Sequence, residues 1–213
     1  MLYSDQDVPE SVEMDRKLTA LLDTDRPRIG YIPSCADPGR VFFERCRRYY
    51  ARLGAILDPY FELDQDYQPG LLPQLLEADA IHLSGGDTFY FLDWLRARGL
   101  IPILRDYAAG GGILIGVSAG SILMTADVLT AELCGDVAPS PTFDPSALGL
   151  VDLAFVPHWR LDRDPTPLLS CSARHGVPVY GCPDDAGIIV HDEIIEWVGE
   201  LVKVEDAQVI RWP

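Results

Sequence analysis

Short aliphatic runs, each followed within a few positions by a stretch of helical periodicity, recur along the first two thirds of the chain. This alternation is the signature of a largely parallel sheet with helices on both faces, because a parallel strand pair needs a crossover and a helix usually supplies it. The strands read as residues 29–33, 55–61, 80–84 and 113–117, the second of them weakened by Pro59. Helical periodicity covers residues 11–23, 41–53, 71–77, 89–98, 100–109 and 119–127, with Val12, Leu18, Leu21 and Leu22 offering the first helix its apolar stripe. Past residue 128 the pattern loosens. A proline-bearing loop spans 129–148, strands are expected at 151–156 and 177–182, and a helix lies between them at 165–174. The tail, 187–212, reads as an antiparallel meander.

A chain of 213 residues, 48% hydrophobic, suits one α/β domain over residues 1–213. No apolar run approaches the roughly 20 residues that span a bilayer, and the acidic start lacks the plan of a secretory signal, so a cytoplasmic protein is expected. The net charge of −16, from 33 acidic against 17 basic residues, repels phosphate backbones and anionic lipid, which argues against nucleic-acid and membrane partners. Five cysteines, an odd number without C-x-x-C spacing, argue against a disulfide framework and a zinc ribbon. Four scattered histidines form no helical metal pair, so neither metal nor cofactor is expected.

The chemistry concentrates at Gly116-Val117-Ser118-Ala119-Gly120, which fits G-x-S-x-G between a strand and a helix. A serine on so sharp a turn projects Oγ from the sheet, and the flanking glycines let neighbouring chain pass without a Cβ clash. A second strand-to-helix loop, Ser84-Gly85-Gly86-Asp87, opens at the same C-terminal edge of the sheet. The N–H groups of Ala119 and Gly86 are therefore candidates for an oxyanion hole, while Asp87 is placed to cap the next helix. No phosphate-binding glycine motif is present.

A nucleophilic serine needs a base. His158 follows a strand end, whereas His82 lies inside a strand, His175 at a helix end and His191 in the tail. The base needs an orienting carboxylate, and Asp136, Asp144, Asp184 and Asp185 are the candidates that the pattern alone leaves open.

Leu83-Ser84-Gly85-Gly86-Asp87-Thr88, the elbow through Ser121, and Val156-Pro157-His158, in that order, resemble the peptidase E family of α-aspartyl dipeptidases and the related cyanophycinases. The resemblance implies a class I glutamine-amidotransferase-like three-layer fold, with Leu2-Tyr3-Ser4 as a short first strand. It also implies a serine peptidase acting on small peptides, Asp-X dipeptides among them, through Ser118, His158 and an acid after the histidine: Asp184, with Asp185 in reserve. Substrate contacts are expected from Arg160 and Arg163, beyond the histidine, and from Asp87, which stands where an asparagine is common. An esterase or amidase with the same machinery, or a silent binding domain of the same fold, are the competing readings. An amidotransferase is not, since that chemistry uses cysteine at the elbow. A monomer, or a homodimer paired through the tail strands, is expected.

Overall fold

A computed structural model describes residues 1–6, 12–192 and 194–212, so Ser11, the expected start of the first helix, lies outside the described residues. Seven strands form the main sheet: β1 (Leu2–Tyr3), β2 (Arg28–Ile32), β3 (Ile56–Tyr60), β4 (Ala80–Leu83), β5 (Ile113–Val117), β8 (Gly187–His191) and β9 (Ile194–Val198). Their order is β3-β2-β4-β5-β1-β8-β9, parallel from β3 to β1 and antiparallel at β8 and β9. β4 is buried along its whole length, as a strand covered on both faces must be. Pro59 survives in β3 because β3 is the sheet's edge, where one row of N–H groups has no ladder partner to lose.

Helices cover both faces. α1 (Val12–Leu22) and α2 (Val41–Arg52) lie on one side with Tyr3, Tyr31, Ile115 and Val117. α3 (Leu72–Leu76), α4 (Thr88–Ala97), α5 (Leu100–Ala109) and the single turn α6 (Ala119–Ile122) lie on the other with Leu2, Ile32 and Leu83. The buried stripe of α1 is Met14, Leu18 and Leu22, a strict i, i+4, i+8 row, while Val12 and Leu21 face outward, contrary to the sequence reading. Gly54, at φ 81, stops α2 as expected.

A second, four-stranded sheet of β6 (Ala154–Val156), β7 (Val179–Gly181), β10 (Leu201–Glu205) and β11 (Gln208–Trp212) runs in the order β11-β10-β7-β6, with α7 (Thr166–His175) on its own small core. The expected meander is thus divided. The β8–β9 hairpin extends the main sheet through β1, and the β10–β11 hairpin extends the small sheet through β7. Gly199, at φ 80, turns the chain between them, and the Trp197 and Trp212 rings meet at 4.7 Å across the gap. No helix is long and apolar enough to cross a membrane among the described residues.

Candidate active site

β5 ends at the carboxyl edge of the main sheet and delivers Ser118 into a backbone conformation, φ 50 and ψ −108, that a residue with a Cβ adopts only under strain. The turn is held from both sides. Ser118 N–H donates to the Tyr3 carbonyl at 3.0 Å, and the Ser118 carbonyl accepts from Ser121 and Ile122 N–H. A Cβ on Gly116 would stand 2.6 Å from Gly120 backbone, and one on Gly120 would stand 2.1 Å from the Leu83 carbonyl oxygen. The helix expected over 119–127 is only α6, four residues long. Beyond it the Thr125 hydroxyl donates to the carbonyls of Ile122 and Asp127, side-chain bonds that compete with helix continuation. One turn carries little macrodipole, so stabilisation of an anion here falls to individual N–H groups.

His158 Nε2 lies 3.0 Å from Ser118 Oγ, and His158 Nδ1 lies 2.7 Å from Asp184 Oδ1. The imidazole thus bridges a hydroxyl and a carboxylate, the geometry that proton transfer from serine requires. Ser4, fully buried at the end of β1, ties these parts together: its hydroxyl accepts from His158 N–H at 2.8 Å and donates to the Cys182 carbonyl at 2.9 Å. Ser4 N–H meets the Ala186 carbonyl and Asp5 N–H the Asp184 carbonyl, so the acid's loop is stitched to β1 as well. Sequence reasoning missed Ser4; its only signal was a hydroxyl residue ending the strand beside the elbow strand.

The Gly85–Gly86 peptide flanks the serine, a Cβ on Gly85 falling 3.6 Å from Ser118 Cβ. Two hydroxyls converge on the Gly85 carbonyl, Ser34 Oγ at 2.6 Å and Ser84 Oγ at 3.1 Å, and Ser34 N–H donates to Ser84 Oγ. Across a planar trans peptide a fixed carbonyl fixes the next N–H in the opposite direction. Gly86 N–H and Ala119 N–H meet no acceptor among the described residues, which leaves both free for an incoming oxygen.

The other candidates separate. Asp136 accepts from Thr88 N–H at 2.9 Å, and Asp144 holds Ser146 and pairs with Arg96, so neither faces His158. Asp185 lines an open groove of about 520 Å³ around His158 with Asp162 and Glu200. Asp87 caps α4 by accepting Tyr90 N–H. Arg160 forms two bonds to Asp162, and the Arg163 guanidinium lies 4.6 Å above the Trp159 ring. His82 is buried against Tyr50 OH and held neutral, its pKa pushed down to about 3 by burial; His175 pairs with Asp127, and His191 is exposed. Asp5, His158 and Asp184 bring three ligand atoms within 4.8 Å, but both imidazole nitrogens are already engaged, so the cluster suits proton transfer better than metal ligation.

Comparisons with known proteins bear on the family and the fold. The chain is 23% identical over 183 residues to an uncharacterized peptidase, YgaJ, of Bacillus subtilis (strain 168), covering 86% of this chain and 76% of that one. It is 35% identical over 119 residues to peptidase E of Streptomyces coelicolor, covering 55% of this chain and 47% of the relative, about half its length. The crystal structure of a peptidase from an acI-B1 Actinobacterium superposes with a TM-score of 0.68 at 17% identity, over 99% of this chain and 95% of that one, which establishes a shared fold. The profile of Peptidase family S51 matches residues 2–198, and with nearly the whole chain inside it the protein belongs to that family and is a serine-type peptidase.

Proposed function

We propose that the protein hydrolyses small peptides through a Ser118–His158–Asp184 triad and an acyl-enzyme. One observation carries the reading: the unbroken relay from Ser118 Oγ through both imidazole nitrogens to Asp184, with steps of 3.0 and 2.7 Å. His158 Nε2 takes the serine proton as Oγ attacks the scissile carbonyl, and Asp184 holds the tautomer and balances the imidazolium. The tetrahedral oxyanion is stabilised by Gly86 and Ala119 N–H. Its collapse breaks the C–N bond, the proton on Nε2 passes to the leaving amine, and water repeats the sequence to release the acid. None of the five cysteines forms a disulfide, which suits the reducing cytoplasm.

Asp-X dipeptides are the substrates that the family resemblance implies, with Arg160 and Arg163 as the cations. Both guanidiniums are engaged, and an aspartyl side chain at Arg160 must displace Asp162. The test is labelling of the purified protein with a fluorophosphonate, together with release of amino acids from a dipeptide panel, alongside Ser118→Ala. Labelling and turnover that both vanish in the variant support the triad. Turnover that survives Ser118→Ala refutes it.

A further inference from the structure

On the face of the main sheet that α1 and α2 cover, a cavity of about 310 Å³ opens beside the elbow. Its walls are Tyr31 and Val117 from the sheet, Phe42 and Tyr49 from α2, and the Gly85–Gly86 peptide. We propose that this cavity receives the side chain of the residue whose carbonyl Ser118 attacks, and that it selects an uncharged apolar side chain, that of Phe, Leu or Met, over aspartate. The inference rests on the triad reading above.

Position argues for the acyl side. Gly85 and Gly86 form part of the wall, and a Cβ on Gly85 would fall 3.6 Å from Ser118 Cβ, so the cavity adjoins the serine whose attack forms the acyl-enzyme. His158, which must face the leaving amine to protonate it, is not part of the wall; the separate acidic groove surrounds it. The volume is at the low end for ligand pockets, about 300 Å³, which suits one side chain and not an extended peptide.

Chemistry argues for an apolar occupant. Aromatic rings and Val117 dominate the walls, and the buried His82 beneath them is neutral. Among the described residues three charged side chains share the lining. Asp37 is buried, its two oxygens accepting the N–H groups of Phe42 and Phe43; Asp5 accepts Gln6 N–H; Arg45, the one cation, has an interaction of its own. Two carboxylates against one guanidinium oppose a third carboxylate entering a site of low dielectric. Phe42, 61% exposed at the mouth, offers an aromatic surface that a bound apolar side chain would cover.

The experiment reads Ser118 directly, with diphenyl α-aminoalkylphosphonates carrying the side chains of Phe, Leu, Ala, Asp or Lys, on the wild type and on Phe42→Ser. The second-order labelling rates are expected to favour Phe and Leu over Asp by about 100-fold, from the area buried and the charge excluded. Phe42→Ser, shown folded by circular dichroism, is expected to narrow the Phe-to-Ala ratio by about 3- to 10-fold. Preference for the Asp or Lys probe, or a Phe-to-Ala ratio unmoved by the substitution, overturns the assignment. So does reaction with a small fluorophosphonate but with none of the five probes. Failure to react even with the fluorophosphonate sinks the triad reading instead, so the two claims fail separately.

Discussion

Gly120→Ala tests whether the elbow's glycines are there for space. Gly120 is helical, so its missing Cβ is not needed for an unusual φ; it is needed because α6 lies directly against β4. The added methyl carbon would stand 2.1 Å from the Leu83 carbonyl oxygen, 2.7 Å from its carbon and 2.8 Å from Leu83 Cβ. The first two are backbone in a buried, doubly paired strand, and no side-chain rotation relieves them. To restore van der Waals contact, α6 must retreat by about 1 Å. Overpacking of this kind costs about 1–3 kcal/mol, and at about 2–4 °C per kcal/mol for a chain of this size the melting temperature should fall by roughly 2–12 °C. The same retreat carries Ser118 Oγ and Ala119 N–H with it, and a 1 Å displacement of a reacting group is worth on the order of 100-fold in rate. Thermal unfolding and fluorophosphonate labelling measure the two effects on one sample. Gly70→Ala is the control, since its φ is not positive and nothing lies within 4 Å of its added Cβ. A Gly120→Ala protein with wild-type melting temperature and labelling rate would refute the argument from close approach.

Asp184→Asn should lower kcat on the order of 10³–10⁴-fold by presenting the wrong tautomer to Ser118, while Asp185→Asn stays within about twofold; steady-state assays of both decide between the adjacent acids. Ser34→Ala removes the shorter of the two bonds on the Gly85 carbonyl, and a loss of about 1 kcal/mol of fixation should slow labelling about fivefold with little change in melting temperature. His175 accounts for a pH dependence of stability. Hydrogen bonds donated to Asp127, then to Cys171, outweigh burial and push its pKa up to about 10, against about 6.5 unfolded. The folded state therefore binds the proton more tightly. The pair's contribution is complete below about pH 6.5 and is lost as pH rises towards 10. In urea unfolding, Asp127→Asn should cost about 2 kcal/mol at pH 6 and much less at pH 10; an equal cost at both would dismiss the linkage.

Much of this architecture was legible because its signals are local. The run from Ile113 through Gly120 carries its own strand, its own turn chemistry and its own steric demand, and the structure reproduces β5 and α5 residue for residue. Asp87 was readable as a cap because capping involves only the next three residues. The failures are tertiary. Periodicity extended α6 to residue 127 because it does not register the Thr125 hydroxyl taking the Ile122 carbonyl. The tail's alternation named its strands but not their sheets, since whether β8 pairs with β10 or with β1 depends on which edge is open once the rest has folded. Asp184 and Asp185 are neighbours of the same residue type, and only the direction in which the chain leaves β7 distinguishes them.

The same reasoning explains why the supporting serines carried so little signal. Ser4, Ser34 and Ser84 each follow a strand, and a hydroxyl at a strand end has no preferred partner until the sheet order sets neighbouring ends side by side. In the order β2-β4-β5-β1 the four carboxyl ends are adjacent, so Ser34 and Ser84 meet across β2 and β4, and Ser4 meets the chain leaving β6 and β7. None of the three touches a reacting atom. Each fixes a peptide plane instead: two clamp the Gly85 carbonyl and so aim Gly86 N–H, and the third fixes His158 N–H and the carbonyl of Cys182, two residues before Asp184. The side chains of His158 and Asp184 are 45% and 58% exposed, too open for packing to hold them at hydrogen-bonding distance. Orientation in such a site has to come from the backbone, and buried hydroxyls, those of Ser4 and Ser84 bonding two groups at once, are a compact way to impose it.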